Sequence, residues 1–510
     1  MTVTTLESRQ ALIRAMQQPT FYDHDVKEVI MLQTHISWVF LTGKYAYKVK
    51  KPVDFGFLNF TELAQRKHFC EEEVRLNQRL AKDLYLHTVN ITGTDAQPAL
   101  NGDGAVIEYA IKMHQFDQTQ LVDKLLASAQ LQAQHIDEMA DQAAHFHQTI
   151  AHSGNESELG TASSVNAPVI QNFDQLDPLI KDTEARAQLT RLKDWSQKEF
   201  EKIQPILNQR KQSGFIRECH GDMHLGNMAL IDNHITIFDG IEFNDEFRWI
   251  DVISEVAFLF MDLFDRQATH FAYRFLNRYL EHTGDYEGIQ VFRFYLVYRA
   301  MVRAKIASFS LLSPDLTATE IEKTLQQYKS YADLAESFTQ SDHLSVSITH
   351  GVSGCGKTTI SQNLLEKNNL IRIRSDIERK RLYGLKATES SQSAVDTGIY
   401  TDEANSKTYL QLEKFAKIIL SSGFSVIADA TFLDRVNRKV FQDLAETYAA
   451  KFLIVEFDID KSELEQRIIR RYSDTDNASE ANIAVLEKQL SSMKPLEEAE
   501  KAFIDQSAFQ

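Results

Sequence analysis

The octet Gly351-Val352-Ser353-Gly354-Cys355-Gly356-Lys357-Thr358 has the spacing G-x-x-x-x-G-K-[ST]. Residues of these types at this spacing surround phosphate groups. The glycines let the backbone turn tightly, so that its N–H groups converge on an anion, and the helix that follows adds the positive end of its dipole. In that geometry Lys357 reaches the β- and γ-phosphates of a nucleoside triphosphate, and the Thr358 hydroxyl takes Mg²⁺. Gly351, Ser353, Gly354, Cys355, Gly356, Lys357, Thr358 and Thr359 are therefore the expected nucleotide contacts. At the start of a helix, Cys355 is expected to carry a lowered thiol pKa and to be shielded by nucleotide.

Residues farther on decide what the cradle serves. Asp376, in Ser375-Asp376-Ile377-Glu378-Arg379, falls at the carboxyl end of the next strand, where open α/β sheets bind ligands. A carboxylate there can take the proton of an acceptor hydroxyl, and Arg379 can hold an anionic group on that acceptor. Asp429 ends a third strand and suits a carboxylate on the metal or just behind it. Arg467, Arg470 and Arg471 lie at a helix end before the polar stretch 473–480, where they would fold over a transferring phosphate as a lid. A capping Asp and a solvated basic helix end are the plainer readings of the same residues.

A second constellation lies upstream. His220-Gly221-Asp222-Met223-His224-Leu225-Gly226-Asn227 sets an Asp and an Asn five residues apart, and Asp239-Gly240 follows twelve residues later. Asp as base, Asn as metal ligand and a second metal-binding Asp form a phosphotransfer loop, with His220-Gly221-Asp222 in the place of H-R-D and Asp239-Gly240 in that of D-F-G. Such a site needs a strand lysine for the phosphates and a helix glutamate to pair with it. Lys48 and Lys50 share one strand face, and Glu71, Glu72 and Glu73 offer the acid.

These residues need elements to hold them. Strands are expected at 30–32, 38–41 and 45–49, with Thr42-Gly43-Lys44 as a hairpin turn, a helix at 61–80 on Leu63, Phe69, Val74, Leu76 and Leu80, and a strand at 106–113. Helical patterns run from 121 to about 337, broken near 218–243 by short β-like runs. His145 and His147, two apart, do not share a helix face and read as packed or surface residues, not a metal pair. From 344 onward strands (344–350, 370–374, 425–428, 452–457) alternate with helices (358–366, 403–420, 435–448, 462–471), the pattern of a parallel sheet covered by helices. The expected division is 1–340, with a β-rich lobe at about 21–115 and a helical lobe at about 121–337, and 341–510.

Residues 344–500 resemble the small P-loop kinases: gluconate kinase, polynucleotide 5′-kinase, chloramphenicol phosphotransferase and zeta-toxin-like proteins. The likeness rests on the cradle, Asp376 with Arg379, Asp429 and the late arginines, and it implies that Asp376 deprotonates the acceptor hydroxyl. The first part resembles the aminoglycoside and choline phosphotransferase branch of the protein-kinase-like fold. That resemblance selects Lys48 and Glu73 as the phosphate lysine and its partner, Asp222 as base, and Asn227 and Asp239 as metal ligands. Two features depart from it: no G-x-G-x-x-G covers the phosphates, and the acid bracing the loop is either Asp251 or Glu255. With both motif sets in this order, nearly the whole chain resembles bacterial proteins in which an aminoglycoside-phosphotransferase-like domain is fused to a P-loop kinase domain. The implied fold class is mixed: a two-lobed kinase-like domain followed by an α/β domain with a parallel sheet.

Composition narrows the function classes. The 510 residues carry 55 Lys+Arg against 72 Asp+Glu, so the net charge is 55 − 72 = −17, which argues against a broad nucleic-acid-binding face. A polynucleotide end held in a local basic pocket stays open. Cys70, Cys219 and Cys355 lie far apart and form no disulfide or zinc spacing. The start of the chain has no uninterrupted apolar core, and the most apolar later run, 252–264, is broken by Glu255 and Asp262, so neither a signal peptide nor a membrane span is expected. The expectation is a cytoplasmic ATP- and Mg²⁺-dependent phosphotransferase with two nucleotide sites and small-molecule hydroxyl acceptors. The alternatives are a regulatory ATP-binding module in one half, or an ATPase switch without an acceptor in the P-loop half.

Overall fold

Alternation in residues 30–50 yields three antiparallel strands, β1 (Ile30–Gln33), β2 (Ser37–Leu41) and β3 (Tyr45–Lys50). The computed structural model describes residues 9–56, 58–312, 316–341, 343–387, 389–391, 393, 397–471 and 482–509. β4 (Tyr85–Thr94), β5 (Gln97–Leu100) and β6 (Val106–His114) complete a six-stranded antiparallel sheet in the order β1-β2-β3-β6-β4-β5. β4 and β5 are not among the expected strands. Polar His87, Thr88 and Asn90 dilute the apolar signal of β4, although Val89 and Ile91 keep the alternation and are buried.

The helix expected at 61–80 forms over Leu63–Asn77, and Leu76 is buried as expected, but most of its buried stripe is polar. Arg66, Glu73 and Asn77 are buried with Cys70 at helical spacing, whereas Leu63, Phe69 and Val74 are only half-buried. A polar stripe can be buried only if each group finds a partner. Arg66 finds Glu108 at 2.8 Å, and Glu73 and Asn77 reach the site described below.

Packing divides the chain into two compact units. One takes the chain up to His135, Thr149–Val165 and Arg210–Glu255, and the other takes Ile136–Gln148, Asn166–Gln209 and Val256 onward. In the first, β7 (Ile216–Glu218) pairs with β10 (Trp249–Asp251), and β8 (Met228–Ile231) forms a hairpin with β9 (His234–Ile237). Asp232 and Asn233, both left-handed at φ 50° and 63°, make the tight turn between them.

In the second unit β11 (Ser345–His350), β12 (Leu370–Arg374), β13 (Ser425–Asp429) and β14 (Lys451–Glu456) form a parallel sheet in the order β12-β13-β11-β14. β11 to β13 are buried along nearly their whole length, as a sheet covered on both faces requires. The helices Thr269–Thr283 and Ile289–Ser308 belong to this same unit. Division by motif, near residue 341, and division by packing are therefore different divisions. Among the described residues no helix is long and apolar enough to cross a membrane.

Candidate active sites

In the first unit, β3 carries Lys48 and Lys50 two residues apart, so both leave the strand on one face, and both are buried. Glu73, completely buried, lies between them: Oε1 is 2.7 Å from Lys48 Nζ and Oε2 2.6 Å from Lys50 Nζ. Lys48 Nζ also donates to Asp239 Oδ1 at 2.5 Å, and Lys50 donates to Glu242. Two ammonium groups thus face three carboxylates. Burial opposes the charge of Lys48, but Asp239 and Glu73 outweigh it and hold its pKa well above the ordinary lysine value. Burial likewise works against ionised Glu73, yet Lys48 and Lys50 together leave its pKa lowered. At Glu242 burial wins, and the carboxyl is raised.

The loop that carries Asp222 is fixed from behind. Gly221 has φ +88°, and a Cβ there would stand 2.7 Å from the Phe247 carbonyl oxygen. Its N–H donates to buried Glu255 at 2.6 Å. Asp251 is instead occupied by Arg210, at 2.7 Å. Of the two acids left open by the sequence, Glu255 is the one that braces the loop. His220 Nε2 lies 2.9 Å from the Phe238 carbonyl and Nδ1 3.3 Å from the Asp222 N–H. Burial lowers the pKa of His220, which favours the neutral ring with its proton on Nε2.

The β8–β9 hairpin explains the spacing of the metal-type residues. Met228 pairs with Ile237, so Asn227 and Phe238 are adjacent and Asp239 follows at the same open end. Asn227 Nδ2 donates to Asp222 Oδ2 at 2.9 Å and to its backbone oxygen at 3.0 Å, and His224 Nε2 lies 3.4 Å from the same carboxylate. The Asp222 and Asp239 side chains stay 36% and 42% exposed, open to a ligand. Behind Asp239, the Gly240 N–H donates to Asn77 Oδ1 at 2.8 Å, one turn along the helix from Glu73. Sequence alternation offers Lys50 beside Lys48, whereas Glu242 and Asn77 have no place in the sequence motif.

Lys50 and Lys48 predict opposite consequences when removed. Lys50→Met leaves Glu242 and half of Glu73 buried without a cation, and should destabilise the fold by about 3–5 kcal/mol in chemical denaturation. Lys48→Met leaves Glu73 its bond to Lys50, and should cost less stability while removing phosphoryl transfer at this site. Equal stability losses would show that Lys50 is not the structural partner.

In the second unit, the cradle joins β11, an inner strand of the parallel sheet, to the helix Lys357–Asn368. Gly354 and Gly356 are left-handed, at φ +87° and +94°, and a Cβ on Gly354 would meet Ile468 at 3.0 Å. Lys357 Nζ donates to the carbonyls of Gly351 (3.1 Å) and Val352 (2.8 Å) within the loop. Thr358 and Thr359 are exposed at the start of the helix. The Thr358 hydroxyl donates to Asp429 Oδ2 at 3.0 Å, and Ser361 to the same oxygen at 3.2 Å. Asp429, Thr358 and the cradle are thus together, as a metal-bound triphosphate needs. The Ser353 N–H donates to Gln489 Oε1 at 2.7 Å, a contact invisible in the motif.

Cys355 is a correction. Its side chain is buried, and burial raises the thiol pKa against the opposing pull of Lys357. Desolvation outweighs Lys357 and the loop N–H groups that favour the thiolate, so the expectation of a lowered thiol pKa does not hold. All three cysteines are free and buried.

Asp376 lies half-buried in the first turn of the helix Ser375–Leu382. Arg379, one turn on, is 9% exposed; its Nη2 donates to Asn405 Oδ1 at 3.2 Å and its guanidinium lies 5.2 Å from the Tyr400 ring centre. Among the described residues its buried Nε has no hydrogen-bond partner. Arg467 pairs with Glu463 at 2.8 Å and lies near the cradle, its Nη1 3.7 Å from where a Cβ on Gly356 would be. Arg470 lies on the same helix. The Arg471 side chain and the stretch 473–480 lie outside the described residues.

Residues 57–292 match the model of the phosphotransferase enzyme family, and residues 346–496 match that of an AAA domain. The chain is 27% identical over 429 residues to the "Uncharacterized protein Rv2004c" of Mycobacterium tuberculosis strain H37Rv, covering 83% of this chain and 82% of that protein. Among solved structures it is similar to an amicoumacin kinase in complex with AMP-PNP, Ca²⁺ and Ami (12% identity, 64% of this chain and 93% of that one, TM-score 0.39). It is also similar to a gluconokinase from Sinorhizobium meliloti 1021 (16% identity, 32% and 82%, TM-score 0.23). These two matches, in this order along the chain, support a kinase or phosphotransferase whose first part is similar to the phosphotransferase enzyme family and whose second part carries the P-loop within an AAA-type match.

Proposed function

We propose that the protein uses ATP and Mg²⁺ at two sites, each passing the γ-phosphoryl group to a hydroxyl of a small molecule. The observation that supports this most is that each unit gathers its own phosphate lysine and metal-type residues. These are Lys48, Asn227 and Asp239 with Asp222 in one, and Lys357 in the cradle that also presents Thr358 to Asp429 in the other, where Asp376 opens the helix after β12. In the first site Asp222 takes the acceptor proton, with its carboxylate oriented by Asn227, while Glu73 steadies Lys48 for the phosphates. In the second, Lys357 exchanges loop carbonyls for phosphate oxygens, Asp376 is the base, and Arg467 and Arg471 neutralise charge on the transferring group. Mg²⁺, when bound, screens the phosphate charge, and Asp239 with Asn227, or Asp429 with Thr358, would hold it. Free cysteines suit a cytoplasmic setting.

The acceptor at the P-loop site is proposed to be anionic. A buried guanidinium with an unpartnered Nε is costly unless an anion completes it, and Arg379 is one turn from the base Asp376. Incubating the full chain with γ-labelled ATP and a panel of hydroxy acids, sugar acids and neutral sugars tests this. Lys357-dependent label should enter anionic acceptors, and Arg379→Gln should raise their KM by about tenfold or more with kcat less affected. Label entering neutral sugars equally well in both proteins would rule out the anionic acceptor.

A further inference from the structure

β12 is an edge strand of the parallel sheet, and an exposed edge leaves backbone groups unpaired. The helix Thr269–Thr283 and the turn after it, both within the region matched to the phosphotransferase family, supply the missing partners. Asn277 Nδ2 donates to the Leu370 carbonyl at 2.9 Å, and its Oδ1 accepts the Arg372 N–H at 2.5 Å, as a neighbouring strand would. The Tyr286 hydroxyl donates to the Arg372 carbonyl at 3.0 Å.

One turn beyond Asn277 the helix presents Glu281 to the same strand. Glu281 is 2.7 Å from Arg372 Nε and 3.3 Å from Arg374 Nη1. Both arginines also reach residues of the phosphate site. Arg372 Nη1 donates to Ser361 Oγ at 3.1 Å and to the Thr358 carbonyl at 3.3 Å, and Arg374 Nε lies 3.7 Å from Asp429 Oδ2. Arg374 is thus shared between two carboxylates, one of which is the proposed metal ligand. A cation and a metal ion compete for one carboxylate, and whichever carboxylate holds the arginine more closely decides the outcome.

We propose that Glu281 is a positioning residue for the P-loop site: it draws Arg374 away from Asp429, leaving that carboxylate available to Thr358, Ser361 and the metal. The P-loop site therefore extends beyond the P-loop domain of the sequence, to a helix some seventy residues upstream of the cradle. This inference rests on the reading of Asp429 as a metal carboxylate.

The test uses the full chain carrying Asp239→Ala, so that the first unit contributes no Mg²⁺-dependent signal. The Mg²⁺ midpoint for binding a fluorescent ATP analogue is measured, with thermal unfolding as a control. Glu281→Gln should raise the midpoint by about tenfold, since it removes the charge that competes for Arg374. Arg374→Gln alone should lower the midpoint by about threefold, because one opposing cation is gone. The double variant Glu281→Gln/Arg374→Gln should return to within about threefold of the parent, which a merely structural role for Glu281 would not produce. An unchanged midpoint in Glu281→Gln, a double variant as weak as the single, or an unchanged or raised midpoint in Arg374→Gln would each overturn the proposal. Should Glu281→Gln fail to fold, Arg374→Gln still decides. Asp429→Ala separates the two readings: if it leaves the midpoint unmoved, the metal assignment itself fails, whereas failure of the Glu281 variants alone leaves that assignment standing.

Discussion

Lys357→Ala in the full chain removes phosphoryl transfer at the P-loop site, by a factor on the order of 10²–10³ in kcat, because one charge aimed at the developing phosphate charge is lost. The fold should survive. Lys357 is half-buried, and among the described residues its ammonium bonds the Gly351 and Val352 carbonyls and the Cys355 sulfur, so the variant should unfold within about 1 kcal/mol of the parent. Transfer to an acceptor that depends on Asp376 is the measurement, alongside a denaturation curve. Parental turnover with that acceptor would contradict the cradle assignment. A collapsed denaturation midpoint would mean that Lys357 is structural and says nothing of phosphate.

The second large effect separates base from metal in the first unit. Asp222→Asn should lower kcat by a factor on the order of 10²–10⁴, since an amide cannot take the acceptor proton, and leave Mg·ATP affinity nearly unchanged. The Asn227 contact to this side chain survives in part, because Nδ2 also donates to the Asp222 backbone oxygen. Asp239→Ala should instead weaken Mg·ATP binding, while Lys48 keeps its bond to Glu73. Both variants are made with Lys357→Ala present, so that the P-loop site contributes no background. Mg·ATP affinity indifferent to Asp239→Ala would contradict the metal role. Normal affinity with no acceptor phosphorylated across a broad panel would favour a regulatory nucleotide-binding module in this unit.

The parts of the two sites that follow from local spacing were legible in the sequence. A turn-and-helix motif dictates where Gly354, Lys357 and Thr358 must be, and a tight hairpin dictates that Asn227 and Asp239 meet. Alternation placed Lys48 and Lys50 on one face, but only family likeness preferred Lys48, and the structure gives Glu73 to both. Residues that work across long sequence separations left no such trace. Glu242 answers Lys50 from 192 residues away, and Glu281 reaches Arg372 across 91. A glutamate in an amphipathic helix reads as solvated unless the strand it will pack against is known. The helix Leu63–Asn77 was only partly legible for a related reason: Leu76 is buried as apolar periodicity implies, but Arg66, Glu73 and Asn77 are buried too and leave no apolar signal. Cys355 failed on magnitude, since the helix-terminus effect was legible and the burial opposing it was not.

The proposal of two sites predicts two independent fates for labelled phosphate. The full chain, the Lys357→Ala chain, the Asp222→Asn chain and the double variant are each incubated with γ-labelled ATP, Mg²⁺ and a metabolite extract, and the labelled products are separated. Each single variant should lose one set of labelled products and keep the other, and the double variant should label nothing. If either single variant removes all labelled products, the two sites are not independent phosphotransferases. If one variant changes no product, the site it disables transfers no phosphoryl group.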